Sequence, residues 1–238
     1  MDKALVDSGL VKSRARAKTL IEAEKVLVNG KIVADVAFTP PKDALIKLLE
    51  EDMPWVSRGA LKLLGAFEEW DIDTNGRVAL DVGASTGGFT EVLLSKGATK
   101  VYALDVGHDQ LDQKLRNDSR VVVLEGKHVM DASPIDFPES IEFMTVDLSF
   151  ISLIKVLPKL AELLAEGGDM IALVKPQFEV GKDNVDKGGI VRDPVLREEA
   201  LRRVVRAAKE AGLTILGTMD SPIAGGDGNK EFLLYAVK

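Results

Sequence analysis

From Arg77 onward, short apolar runs alternate with segments of helical periodicity. The runs VALDV (78–82), VYALDV (101–106), VVVLE (121–125), FMTVDL (143–148) and MIALVK (170–175) have the composition of buried parallel strands. Helical patterns intervene at about 88–96, 109–116 and 152–166. A long amphipathic helix is predicted over about 194–211, followed by TILGTMDSP and KEFLLYAVK. This order predicts an α/β fold with an open, doubly wound sheet, whose ligands lie at the carboxyl ends of the strands.

Before Arg77 the pattern changes. Ala4, Leu5, Leu10, Ala17, Leu20 and Ile21 suggest two short helices, the second opening near Ser13 as N-cap. KVLVNGKIV then places Asn29-Gly30 between β-branched runs, a strong hairpin signal. The run from Lys42 to Met53 is expected to close this small module as a strand, after the turn signal Thr39-Pro40-Pro41. Residues 1–54 are thus expected to form one domain, 55–58 a linker and 59–238 a second domain. A helix carrying Leu61, Leu63, Leu64 and Phe67 should open the latter.

The chain has 238 residues, 46% hydrophobic and 29% charged, enough for a sizeable core. No apolar run approaches the ~20 residues of a membrane helix, and the N-terminus has no signal-peptide core. No stable membrane association and a cytoplasmic location are therefore expected. With no cysteine and only His108 and His128 for imidazole ligation, no metal site is expected either. The net charge of −7 is unevenly spread: residues 1–31 hold 7 basic and 4 acidic side chains. Local patches matter more than totals for nucleic acid. Ser13, Arg14, Arg16 and Lys18, at the start of the second helix, are candidate phosphate contacts. A solvated basic helix face is the plainer alternative.

Candidate chemistry sits where strands end. Asp81-Val82-Gly83-Ala84-Ser85-Thr86-Gly87-Gly88-Phe89 joins the first long strand to its helix. Ser85 occupies the second glycine position of GxGxxG, which weakens a dinucleotide reading and favours the acidic-x-Gly pattern of S-adenosylmethionine enzymes. Candidate cofactor contacts are Asp81, Gly83, Ala84, Ser85, Gly87, Gly88 and Phe89, with Asp105 and Val106 ending the next strand. Asp105 could accept both ribose hydroxyls of the cofactor.

Lys62, Asp147, Lys175 and Glu231 lie far apart in sequence, yet each adjoins a segment this fold brings to one rim. Methylating a ribose 2′-hydroxyl requires removal of its proton, and a free lysine, pKa about 10.4, is mostly protonated at neutral pH. A neighbouring ammonium or burial lowers that value, while a carboxylate raises it. Lys175 is read as the base, Asp147 as its positioner and Lys62 as the second positive charge, with Glu231 behind. The segment 180–194 is glycine-containing and charged, suited to a lid, with Lys182, Lys187 and Arg192 as candidate phosphate contacts beside Arg58. His108 and His128 receive no role.

These motifs together resemble the TlyA family of ribosomal RNA 2′-O-methyltransferases, often labelled hemolysins, over essentially the whole chain. GLVKSRARAKTLI with KVLVNG resembles that family's S4 RNA-binding module. WVSRGALKL, LDVGASTGGFTEVLL, VDLSFISL and LVKPQFEVGK resemble its FtsJ-type methyltransferase blocks. The resemblance implies a Rossmann-like class I fold with a seven-stranded, mostly parallel sheet and a small N-terminal α/β S4 domain. It further implies S-adenosyl-L-methionine at the Gly83–Phe89 loop, a Lys-Asp-Lys-Glu tetrad at the four positions above, and a cytidine ribose in 23S or also 16S RNA. Ribosomal RNA or a ribosomal subunit is the expected partner, and the oligomeric state is left open. Competing readings are a membrane-active hemolysin, a non-catalytic RNA-binding assembly factor and a nicotinamide oxidoreductase.

Overall fold

The computed structural model describes residues 1–11, 13–49, 54–225 and 228–238. The chain divides into two compact units, Met1–Pro54 and Trp55–Lys238. In the first, α1 (Asp2–Asp7) and α2 (Arg14–Glu22) pack with a three-stranded sheet of order β2-β1-β3, built from β1 (Val26–Val28), β2 (Lys31–Ile32) and β3 (Ile46–Leu48). Leu5, Ala17, Ile21 and Val26 form its fully buried centre. Asn29 and Gly30 both take left-handed backbone, φ 51° and 79°, as a two-residue hairpin turn requires. The strand expected within 42–53 is β3, while residues 50–53 lie outside the described residues.

The second unit begins with α3 (Gly59–Glu69) and then winds β4 (Val78–Val82), α4 (Gly88–Ser95), β5 (Lys100–Asp105), α5 (Gln113–Arg116), β6 (Val121–Glu125), β7 (Ile141–Val146), α6 (Leu153–Leu163), β8 (Leu164–Val174), α7 (Pro176–Glu179), α8 (Pro194–Glu210), β9 (Thr214–Asp220) and β10 (Phe232–Val237). Seven strands form one sheet of order β6-β5-β4-β7-β8-β10-β9. All neighbours from β6 to β8 pair parallel, and β10 runs antiparallel to both of its neighbours. Leu80 and Val82 of β4 belong to the core against α6 and α8, while Ala79 joins Leu63, Phe89 and Val92 on the other face. Burial on both faces explains why these strands are continuously apolar rather than alternating. From β4 the chain moves outward through β5 to β6, then returns beside β4 as β7. The carboxyl ends of β4 and β7 therefore flank the switch point, where open α/β sheets bind ligands.

Three expectations shift. The helix expected to 166 stops at Leu163, and β8 starts at Leu164, which is buried and pairs with Ile141. Sheet burial overrides the helical pattern there. The helix expected over 109–116 is only Gln113–Arg116. The Glu125 carboxylate instead accepts the backbone N–H groups of Asp109, Gln110 and Leu111, and Asp109 turns to φ 55°. Arg116 beside it holds the Glu125 carboxyl down at about 2. Finally, residues 55–58, expected as a linker, pack into the second unit: Trp55 and Val56 lie against its core, and Val56 N–H donates to Glu91.

Candidate active site

Gly83 ends β4 at φ 85°, and a methyl on its α-carbon would collide with the carbonyl oxygen of Asp147. Only glycine lets the two strand-end loops meet this closely. Asp147 N–H donates to Val82 O at 2.9 Å, which extends the β4–β7 pairing by one residue beyond the strands. Asp105, ending β5, accepts Ser85 N–H at 2.8 Å on one oxygen and Gly107 N–H at 2.7 Å on the other. Each carboxylate oxygen keeps acceptor capacity for a ligand.

Two cavities share Gly83, Ser85 and Asp147. One, of 330 Å³, is lined by Asp105, the exposed Val106, Gln110, His128 and Phe150 among others. The other, of 260 Å³, is lined by Arg58, Lys62, Gly83–Thr86, Gly88 and Phe89 among others. Gly83, Ala84, Ser85, Gly88, Phe89, Asp105 and Val106 therefore all reach one cavity or the other, and Gly87 packs behind on Leu111 and Leu115. Asp81 reaches neither cavity, contrary to the expectation that it contacts the cofactor. It is wholly buried, its oxygens taken by Thr90 Oγ1 at 2.7 Å and Thr145 Oγ1 at 2.8 Å. Burial pushes its carboxyl up to about 6, partly opposed by those two hydrogen bonds. Asp81 fastens α4 to β7 rather than touching a ligand.

A third cavity, of 600 Å³, is lined by Lys62, Lys175 and Glu231 together with Ser149, Phe150, Phe178 and Lys182, among others. The four distant residues thus converge. Lys62, on α3, donates to Glu231 Oε2 at 2.6 Å, with side chains only 9% and 2% exposed. Lys175, just past β8, lies 2.6 Å from Asp147 Oδ1 and donates to Ser149 Oγ at 2.9 Å. The Asp147 contact is an ion pair without the alignment of a hydrogen bond, so Oδ1 has no hydrogen-bond donor among the described residues. Lys62 does not stand there as an unbalanced positive charge, because Glu231 compensates it. Each lysine has its own carboxylate.

The candidate phosphate contacts separate. Arg58 and Lys182 line cavities, whereas Lys187 and Arg192 are exposed in 180–194, Arg192 pairing with Asp186 at 3.2 Å. Asn229 ties that segment down, donating to Gly189 O at 2.8 Å and accepting Val191 N–H at 3.0 Å. In the first unit Ser13 caps α2 by accepting Arg16 N–H, Arg14 pairs with Asp2 at 2.7 Å, and Lys18 lies 3.7 Å from Glu22.

Sequence reasoning missed Ser149, His128, Phe150 and Glu179. Phe150 is 93% exposed at φ 63°, its ring 5.5 Å from that of Phe178. An aromatic directly after Asp147-Leu148-Ser149 was the available signal. His128 lines the first cavity and accepts Met130 N–H through Nδ1, capping the short turn that follows it. Among the described residues there is no acidic or imidazole cluster fit for a metal ion, and no helix is long and apolar enough to cross a membrane.

Fold and site define an FtsJ-like methyltransferase, and that family's domain matches residues 55–238, with an S4 domain matching residues 1–46. Along 236 residues the chain is 46% identical to the 16S/23S rRNA (cytidine-2′-O)-methyltransferase TlyA of Mycobacterium tuberculosis, covering 99% of this chain and 88% of that protein. It is 40% identical to Hemolysin A of Brachyspira hyodysenteriae, covering 100% and 99%. A solved structure from Streptococcus thermophilus, described as a hemolysin, superposes with a TM-score of 0.80 at 41% identity, covering 100% of this chain and 87% of that one. The chain belongs to the TlyA family.

Proposed function

We propose that this chain transfers a methyl group from S-adenosyl-L-methionine to the 2′-oxygen of a cytidine ribose in ribosomal RNA. The observation that carries the reading is the meeting of two lysine–carboxylate pairs, Lys62–Glu231 and Lys175–Asp147, where the Gly83 and Asp147 loops touch. The cytidine and the ribosomal RNA are taken from the tuberculosis relative's activity.

The residues suit the cofactor. Gly83 lacks the side chain that would close the loop, Asp105 presents a carboxylate for ribose hydroxyls, and Val106 exposes an apolar surface for a base. When bound, the cofactor would supply an electrophilic methyl group on sulfonium, whose S–CH3 bond breaks with its electron pair left on sulfur as a neutral thioether. At the substrate, the O2′–H bond breaks and an O2′–methyl bond forms. The proton goes to the Lys175 amine, held beside the Asp147 carboxylate. In its basic form the pair carries an amine and a carboxylate, and afterwards an ammonium and a carboxylate. Lys62 orients the oxygen while Glu231 fixes the Lys62 rotamer. Ser149 holds Lys175 from a second direction, beside Asp147.

Residues 1–54 act in this reading as the RNA-binding domain, with Arg14, Arg16 and Lys18 toward phosphate, and the enzyme works beside ribosomes in the cytoplasm. Replacing those three side chains with alanine should weaken RNA binding and flatten its salt dependence, since each phosphate contact adds to the slope. An unaltered slope moves the RNA surface elsewhere. The decisive experiment maps ribose methylation in ribosomal RNA from cells with and without this protein, and again with Lys175→Ala. One cytidine should lose its methyl group in both deficient strains. Identical maps overturn the reading. Lysis of protein-free liposomes by the purified chain would favour a membrane activity instead.

A further inference from the structure

Glu179 is a buried carboxylate for which methyl transfer has no direct use. It is 5% exposed, and among the described residues no cation pairs with it. A buried charge is costly unless hydrogen bonds replace its water. Both oxygens find them on the neighbouring loop: Oε2 accepts Ser152 Oγ–H at 2.6 Å, and Oε1 accepts Leu153 N–H at 2.6 Å. Ser152 is the N-cap of α6 and Leu153 its first residue. The carboxylate thus sits where unpaired helix N–H groups and the helix dipole favour negative charge.

This contact is one of three between the same two segments. Lys175 reaches Asp147 and Ser149 at one end, and Phe150 packs on Phe178 in the middle. Glu179 closes the far end. Its own backbone is fixed in turn, since Arg203 of α8 donates to its carbonyl oxygen at 3.0 Å. Glu179 lies only four positions after Lys175, and Ser152 five positions after Asp147. Neither span has slack to absorb a shift at its anchored end.

We propose that Glu179 is a positioning residue for methyl transfer. By fastening the segment after β7 to α7, it sets Lys175 against Asp147 and Ser149. Glu179 itself touches neither substrate nor cofactor. This rests on the function proposed above. A displacement of about 1 Å in a reacting group lowers rates by about a hundredfold, so the clamp's loss should appear in turnover.

The test compares Glu179→Ala, Glu179→Gln and Ser152→Ala in the full chain, well below their melting temperatures. Single-turnover methylation of ribosomal RNA should fall about tenfold to a hundredfold in Glu179→Ala, with cofactor affinity by calorimetry within about twofold of wild type. Glu179→Gln keeps an oxygen for Leu153 N–H and should recover to within about threefold. Ser152→Ala removes one bond without altering the carboxylate and should fall between them, so it serves if Glu179→Ala does not fold. Wild-type turnover in both alanine variants, a parallel loss of cofactor binding, or no rescue by glutamine overturns the proposal. Hydrogen exchange supplies a readout without substrate. Protection at 148–153 and 175–179 should drop together in Glu179→Ala and return in Glu179→Gln, and unchanged protection in either segment sinks the clamp. Should wild type itself methylate no ribosomal RNA, the function fails while the exchange result still decides the clamp.

Discussion

Lys62 and Glu231, 169 residues apart, form a 2.6 Å ion pair that is almost wholly removed from water. The pair joins α3, at the start of the second unit, to the entry of its last strand. Two charges so placed are tolerable only together, so each side chain holds the other in one rotamer beside the Gly83 loop.

Removing one partner exposes that dependence. Lys62→Ala leaves the Glu231 carboxylate buried and unpaired, and should cost about 3–5 kcal/mol of stability. Denaturant unfolding followed by circular dichroism measures it. A loss below about 1 kcal/mol would show that water or another cation replaces the ammonium at this site.

Lys175→Ala addresses the chemistry. Proton transfer by a positioned side chain contributes about 10² to 10⁴ in rate. Methyl incorporation should therefore fall at least about a hundredfold, while calorimetry finds cofactor affinity nearly intact. Comparable turnover in the variant removes the base assignment.

Asp105 tests the cofactor cavity. Its carboxylate already orders Ser85 and Gly107, so it offers a fixed acceptor rather than a mobile one. Hydrogen bonds to a charged group contribute about 1.5–3 kcal/mol each. Asp105→Ala should weaken S-adenosyl-L-methionine binding by about tenfold to a hundredfold, and Asp105→Asn by less. Unchanged calorimetric affinity in both variants would refute the ribose contact.

Asp81 gives a pH signature. Its folded carboxyl titrates at about 6, above the ordinary value of 3.8. The folded state therefore binds a proton more readily than the unfolded chain, and this contribution to stability is complete below 3.8. It is lost as pH rises through about 6. Glu125 acts in the opposite sense in a lower window, its contribution being lost as pH falls from 4.5 toward 2. Chemical denaturation from pH 4 to 7 should thus show a decline for wild type that is shallower in Asp81→Asn. Equal slopes would place the titration elsewhere.

Much of this architecture could be read from the chain directly. Apolar runs too continuous for a one-sided sheet announced parallel strands, and Asn29-Gly30 announced a hairpin, because both depend on neighbours in sequence. Asp147, Lys175 and Glu231 could be singled out by the strand ends they follow or precede; Lys62, on a helix, lines one cavity with Asp147 and another with Lys175 and Glu231.

Tertiary structure decided the remainder. Asp81 belongs to the same Asp-x-Gly stretch as Gly83, yet its side chain turns inward to two threonines, one of them 64 residues away. Leu164 leaves a helical pattern because the sheet buries it, and Glu125 replaces a helical turn with three hydrogen bonds to backbone amides. Lys62 took a carboxylate of its own instead of standing open beside Lys175, and Glu179 crossed to a loop no local pattern links to it. The chain alone determines backbone preferences and which faces are apolar, since those arise between near neighbours. Which charge meets which partner depends on the three-dimensional approach of distant segments, and burial enforces that choice by making any unpaired charge costly.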